Sequence, residues 1–305
     1  MSRVLVVGSS NTDMIIRVPR IPRPGETILG GTFAMAAGGK GANQAVAAAR
    51  AGGRVSFVAR VGDDVFGERA LDGFLADGLE TRFVLRTPGS SSGVALIAVD
   101  ERGENSICVA SGANAALAVE DIVRAEEAFA AADIVLVQLE SPLDAVKAAV
   151  RLAGEKGVPV LLNPAPARPL EEDLLRRVAI LTPNEHEAAV LAGFQVESES
   201  DARRAAVRLR SRGPNIVIVT LGARGVFVSS PDLEGLFAGF AVEPVDTTAA
   251  GDVFNGALAV ALAEKRPLPD AVRLAQAAAA ISVTRIGAQP SAPTRAEIDA
   301  FLKTR

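Results

Sequence analysis

The chain has 305 residues, of which 49% are apolar and 22% charged, and a formal net charge of −4. That balance suits one large α/β domain or two smaller ones around a sizeable core and excludes a disordered chain. Tryptophan and tyrosine are absent and no Lys/Arg block occurs, which excludes a nucleic-acid platform, so any phosphate must be bound locally.

Further classes fall away on single residues. Cys108 is the one cysteine, so no intrachain disulfide can form, and a reducing cytoplasm is the expected location. The N-terminus lacks a signal-peptide pattern, and no apolar run approaches the roughly 18 residues of a membrane span. The one histidine, His186, excludes metal sites built on two histidines. It is expected to be a solvated helix residue.

In chain order, Arg3–Gly8 is predicted to be a buried strand ending in Gly-Ser-Ser. Asn11 and Asp13 follow it, where ligands bind in open α/β sheets. The pair suits sugar hydroxyls, or equally an Asx-turn. Residues 13–36 carry three prolines and short β-like runs. Gly38-Gly39-Lys40-Gly41-Ala42-Asn43 opens a helix over Lys40–Ala51. It is not a Walker loop, because glycine follows the lysine. A simple helix-entry turn explains the glycines but not Lys40 with Asn43.

Strand and helix signals then alternate. Strands are predicted at Val55–Arg60, Ile134–Leu139, Val158–Leu162, Ala179–Thr182, Ile216–Thr220 and Val226–Ser229. Helices are predicted at Phe66–Ala76, Asp144–Glu155, Asn184–Ala192, Asp201–Ser211, Gly251–Ala263 and Asp270–Ile281. Such alternation predicts a mostly parallel central sheet with helices on both faces. Residues 84–109 break it, with strand candidates Gly93–Asp100 and Asn105–Val109. The excursions at 13–36 and 84–109 are expected to pair into a small β lid or to decorate the sheet edge. No boundary between sequential domains is visible, so residues 1–305 are expected to form a single domain.

Four later motifs follow, the last three with two readings each. Glu140 ends the strand at Ile134–Leu139. Asn184 and Glu187 share a helical face and can organise water around Mg²⁺, or close a capping box. Thr220-Leu221-Gly222-Ala223-Arg224-Gly225 can receive a nucleotide or serve as a plain hairpin turn. Asp246-Thr-Thr-Ala-Ala-Gly-Asp252 places small residues and a carboxylate where a helix begins. Backbone N–H groups there attract a phosphate, and Asp252 can accept a proton from its attacking nucleophile. It can also be an ordinary N-terminal acid.

As an ordered set these motifs resemble the phosphofructokinase-B-type carbohydrate kinases, most closely their ribose-phosphorylating members. Matching stretches include Gly8–Asp13, Pro24–Thr27, Gly38–Ala45, Gly62–Asp64, Gln138–Pro142, Leu162–Ala167, Thr182–Glu185, Thr220–Gly225, Asp246–Gly256 and Val283–Ser291. The resemblance implies phosphorylation of D-ribose at its 5-hydroxyl by MgATP. It implies that Asn11, Thr12, Asp13, Gly39, Lys40, Gly41, Ala42, Asn43 and Glu140 hold the sugar, with Asp252 the proton acceptor. Ala249, Ala250 and Gly251 would form an anion hole. ATP would lie against Asn184, Thr220, Leu221, Gly222, Ala223, Arg224, Gly225, Gly251, Asp252 and Gln276. Asn184 and Glu187 would organise Mg²⁺. An activating K⁺ would sit by Asp246, Thr248, Ser282, Arg285, Gly287 and Ser291. Gln276 departs from the Asn or His expected near the base. The lid would also make a homodimer contact.

Overall fold

The computed structural model describes residues 2–305. The chain runs β1 (Arg3–Val7), β2 (Asn11–Arg17), β3 (Thr32–Gly38), α1 (Lys40–Arg50), β4 (Arg54–Gly62), α2 (Val65–Ala76) and β5 (Val84–Thr87). It continues through β6 (Gly93–Val99), β7 (Asn105–Ala110), α3 (Val119–Arg124), α4 (Glu126–Ala131), β8 (Ile134–Val137), α5 (Leu143–Glu155), β9 (Val160–Leu162) and α6 (Glu172–Leu175). The rest comprises β10 (Ile180–Leu181), α7 (Glu185–Ala192), α8 (Glu199–Arg210), β11 (Ile216–Thr220), β12 (Val226–Ser229), β13 (Glu234–Phe237), α9 (Ala250–Ala263), α10 (Leu268–Ser282) and α11 (Arg295–Lys303).

Nine strands form the central sheet in the order β13-β12-β11-β10-β9-β8-β1-β4-β5. From β5 to β11 the pairings are parallel, and only the β11–β12 and β12–β13 pairings at one edge are antiparallel. Strand side chains alternate between faces, so each strand feeds two cores. Leu5, Val7, Val135 and Val137 pack on one side with α5, α7 and α8. Val4, Val6, Ile134 and Leu136 pack on the other with α1, α9 and α10. The predicted mostly parallel sheet with helices on both faces is the one observed.

Order along the sheet locates the crevice. From β1 the chain moves outward to β4 and β5, then returns to β8 on the other side of β1. The neighbours β1 and β8 therefore flank a switch point, beyond whose carboxyl ends ligands bind in such sheets.

The excursions form a separate four-stranded sheet, β3-β2-β6-β7. Its extent differs from the sequence expectation. Val84–Thr87 belongs to the central sheet, parallel to β4, and the second sheet begins at Asn11, paired with Gly38 and Gly93. A four-residue apolar run carries no signal about which of two sheets will take it. The short helices α3, α4, α6 and α11 and the edge strand β13 also escaped the periodicity reading.

Candidate active site

The turn after β1 and the start of α1 interlock at backbone distance. A Cβ on Gly41 would lie 2.5 Å from Ser9 N, and one on Gly39, whose φ is 88°, would lie 2.7 Å from Asn11 N. Only glycine permits this approach. It sets the first turn of α1 against Glu140, whose Oε2 accepts from Lys40 N at 2.9 Å and from the Ser9 hydroxyl at 2.6 Å. A carboxylate at this helix N-terminus satisfies an orphan donor and the helix dipole. Glu140 therefore braces the loop with one oxygen and keeps the other for a ligand. Ala42 donates its N–H to Ser9 O and lends only its small size.

On β2, Asn11 and Asp13 lie on the same face, as their alternation requires. The intervening Thr12 lies on the opposite face of the strand, so a ligand held by Asn11 and Asp13 would meet its backbone rather than its side chain. Asn114 reaches across to donate to Asn11 Oδ1 at 2.7 Å and to exchange two hydrogen bonds with the Ser10 backbone. That leaves the Asn11 amide protons for a ligand. Asn114 is a site-building residue that nothing in the local sequence marks, because its partners lie more than a hundred positions away.

Asp252 lies in the first turn of α9 and is buried, 6% exposed. Its Oδ2 accepts from Asn43 Nδ2 at 3.0 Å and its Oδ1 from Gln44 Nε2 at 2.9 Å. Burial pushes the carboxyl above the usual carboxylate range, opposed by the Lys40 charge and these two amides. A base raised in this way is better matched to a proton acceptor's task near neutral pH. Beside it, Asn43 Oδ1 is buried with no partner among the described residues. An orphaned acceptor next to a buried carboxylate suits an incoming hydroxyl.

Lys40 is the cation of this cluster. Burial alone would lower its pKa, but the carboxylates of Asp252, Glu140, Glu187 and Asp13 outweigh it and raise the value. Asp13 is pushed up to about 6, first by burial, then by Glu140 and Asp252, with Lys40 opposing. Glu187, on α7, is likewise raised by burial. Four acids thus converge on one ammonium, an excess that favours a further cation.

At the start of α9, Ala249 has φ 59°, a left-handed conformation that costs an alanine ~1 kcal/mol. The N–H of Ala250 leans on Thr247 O at 3.3 Å. Those of Ala249 and Gly251 have no such partner among the described residues, as first-turn donors often do not. Gly251 is exposed, and a Cβ added there would meet nothing within 4 Å. The turn is thus open on the side where Asp252 is closed.

The residues expected to border a nucleotide and its cations lie on α7, the β11–β12 turn, α10 and the loops around α9, several with their side chains engaged within the protein. Thr220 bridges to Asn184, which sets the Gly222–Arg224 turn beside α7. Asn184 and Glu187 close a full capping box, with bonds of 2.8, 2.9 and 3.0 Å. The turn is also a hairpin turn, between antiparallel β11 and β12. Arg224 pairs with Glu185, and Arg285 with Glu297 at 2.6 Å. Gln276 donates to Phe237 O at 2.9 Å and Ala238 O at 3.3 Å, so both amide protons are spent on backbone and only its oxygen faces other partners. Asp246 accepts from Thr248 N and Gly287 N, each at 2.9 Å, which joins the loop before α9 to the loop after α10. Ser282 and Ser291 are buried and donate to Ala279 O and Ala288 O, so their oxygens stay available as acceptors. His186 is exposed, as expected.

A family model described as pfkB family carbohydrate kinase matches residues 1–295. The chain belongs to the pfkB family of carbohydrate kinases. This kinase is 47% identical over 299 residues to a ribokinase of Haemophilus influenzae, covering 98% of this chain and 97% of that protein. It is 37% identical to a deoxyribokinase of Salmonella typhi, with 98% of each chain covered. Its fold matches the Arabidopsis thaliana ribokinase complexed with ribose and ATP, with a TM-score of 0.92, 33% identity and 99% coverage of each chain.

Two outcomes follow for the kinase. Gly251→Ala meets no protein atom and relieves a helical glycine, so stability in urea should rise by about 0.5–1 kcal/mol. Turnover should fall, because the methyl enters the space above the unpaired N–H groups. For Asp13, the native carboxyl holds a proton that the unfolded chain has already released. Its contribution to stability is therefore present below the unfolded value and is lost as pH rises through about 6. The melting temperature of Asp13→Asn relative to the parent should climb between pH 5 and pH 8. The parent's KM for its sugar should worsen below about pH 6, where the acceptor is protonated, and a flat KM over that range would contradict the assignment.

Proposed function

We infer that this chain is a ribokinase, transferring the γ-phosphoryl group of ATP to the 5-hydroxyl of D-ribose. The observation that carries the reading is the pairing of buried Asp252 with the open turn at Ala249–Gly251. A hydroxyl can give its proton to the carboxylate while its oxygen attacks a phosphoryl group held over backbone N–H donors. Asn11, Asp13, Asn43 and Glu140 offer the polar groups that several sugar hydroxyls need. Lys40 offsets the negative charge that the reactants bring. The 47% identity to a ribokinase over nearly the full length of both proteins supports ribose as the acceptor, and the deoxyribokinase relative makes 2-deoxyribose the specific alternative.

Asn184 and Glu187 fit a magnesium site reached through water. Each carboxylate oxygen keeps a lone pair beyond the capping box, and Glu187 is a buried acid whose charged form a cation would favour. Magnesium bound there would neutralise charge on the ATP phosphates. Asp246, with the acceptor oxygens of Thr248, Ser282 and Ser291 and the carbonyls of Arg285 and Gly287, fits a monovalent cation. Its carboxyl is held below the usual range by the hydrogen bonds from Thr248 and Gly287, against the effect of burial. A cation there would stiffen the loop that carries the anion hole. We further read the second sheet as a lid and as a homodimer contact. Its edges β3 and β7 are unpaired by a further strand, and Phe33, Met35, Leu96, Ile107 and Val109 are exposed on it. No helix among the described residues is long and apolar enough to cross a membrane. With the free thiol of Cys108 exposed, we place the protein in the cytoplasm.

The deciding experiment is an ADP-release assay with ribose, 2-deoxyribose and fructose. Ribose should give the highest kcat/KM, and no ADP from any sugar would remove the kinase reading for this chain. Asp252→Asn should bind ribose near normally and turn over ~10²–10⁴-fold more slowly. Exchanging potassium for sodium should lower both the rate and the melting temperature, and equal values in the two salts would dismiss the cation site. Sedimentation equilibrium should give a dimer that Phe33→Asp dissociates.

A further inference from the structure

Motifs at four strand and helix ends have so far no task in the reaction: Gln138, Asn163, Thr182 and Asn255 are all buried polar residues. Two of them, Gln138 and Asn163, meet at Gln44, which is fully buried on α1, and the other two join through Asn163. Gln44 Nε2 donates to Asp252 Oδ1 at 2.9 Å and to Asn163 Oδ1 at 3.0 Å, and Gln44 Oε1 accepts from Gln138 Nε2 at 2.6 Å. Asn163 Nδ2 donates to Thr182 O at 3.0 Å, the Thr182 hydroxyl donates to Asn255 Oδ1 at 2.6 Å, and Asn255 Nδ2 donates to Gly251 O at 2.8 Å. The circuit starts and ends in the first turn of α9. It ties that turn to the carboxyl ends of β8, β9 and β10 through a single α1 side chain.

The orientation of the Gln44, Gln138 and Asn163 amides follows from one charge. An ionised carboxylate only accepts, so Gln44 must present its NH₂ group to Asp252. Its oxygen then faces Gln138, which must donate, and its second proton requires the oxygen of Asn163. Turning Gln44 over would set oxygen against carboxylate and against Asn163 Oδ1 at once. The arrangement is held even though Gln138 Oε1 is left buried without a partner. The contact is possible because α1 and α9 approach at Gly256, where a Cβ would lie 2.6 Å from Gln44 O.

We propose that Gln44 is a positioning residue for the proton transfer: it anchors Oδ1 of Asp252 from the core side and leaves Oδ2, beside Asn43, as the oxygen that takes the proton. Asn43, whose Nδ2 donates to that same Oδ2, carries the orphaned acceptor Oδ1 on the same amide. The proposal rests on the reading of Asp252 as proton acceptor. The charged groups facing Asp252 are Lys40 on α1, Glu140 after β8, Asp13 on β2 and Glu187 on α7. All four persist when Gln44 is changed, and the Gln44 hydrogen bond is one of the influences that lower the Asp252 pKa.

The test is single-turnover phosphoryl transfer against pH in Gln44→Met, which keeps volume and removes the donor. The expected result is a rate lowered at least ~10-fold, a ribose Kd within about threefold of the parent and an acid limb moved to higher pH. Thr182→Val, which removes a donor farther along the circuit, should slow transfer several-fold at unchanged ribose Kd. A parent-like rate and limb in Gln44→Met overturns the proposal. So does a variant in which rate, Kd and melting temperature fall together with the limb unmoved, since that is a packing role. If Gln44→Met does not fold, Thr182→Val decides, and its parent-like rate overturns the proposal. Asp252→Asn with normal turnover would instead remove the base reading itself, whereas a slow Asp252→Asn beside a normal Gln44→Met removes only the positioning role.

Discussion

One buried negative charge organises this end of the molecule. The Asp252 carboxylate starts α9 with 6% exposure, and a carboxylate out of water must be hydrogen-bonded or must take up a proton. Two amides from adjacent α1 residues supply the bonds, and the Lys40 ammonium about one turn earlier on the same helix supplies the field. This requirement explains why α1 and α9 pack at glycine distance. The glycines of the loop entering α1 answer a different contact, the close approach of that loop to the backbone of Gly8–Asn11. The same compression brings Glu140 onto the N-terminus of α1.

The rest of the site is arranged around that charge by the sheet. Reversal of strand order at β1 opens the crevice, and the polar residues that line it leave the ends of β1, β8, β9, β10 and β11. The second sheet extends Asn11 and Asp13 over the opening, and Asn114 locks Asn11 from behind. Four acids with one ammonium among them make the pocket electrostatically incomplete. Asp13, Glu187 and Asp252 are raised above the usual carboxylate range, in each case first by burial, with the neighbouring acids adding to it and Lys40 opposing. A strained Ala249 and an unobstructed Gly251 keep the α9 turn open on the side a phosphoryl group would approach.

Particular motifs carried double readings, and the structure often realises both. Asn184 and Glu187 do close a capping box, and Thr220–Gly225 is a hairpin turn, so the local reading was right about geometry. Neither geometry consumes the groups that a nucleotide or hydrated cation needs. Gln276 differs: its donors are spent on the backbone of Phe237 and Ala238, which leaves only its oxygen for any further partner. Thr12 differs more simply, since strand alternation turns it away from its neighbours.

What the sequence by itself determined was periodic or contiguous. Alternating strand and helix signals were enough for a mostly parallel sheet with two helical layers, because side-chain period follows directly from backbone geometry. The glycine-lysine entry to α1 and the small-residue turn before Asp252 were legible because their chemistry lies within a few residues. Tertiary structure alone decided the pairing of Val84–Thr87 with the central sheet, the reach of Asn114 to Asn11, and the amide circuit through Gln44. Each depends on contacts between residues scores of positions apart, formed only when the sheet order is set. A buried glutamine in a helix looks the same in sequence whether it meets a carboxylate or a backbone carbonyl, and only the fold supplies the partner.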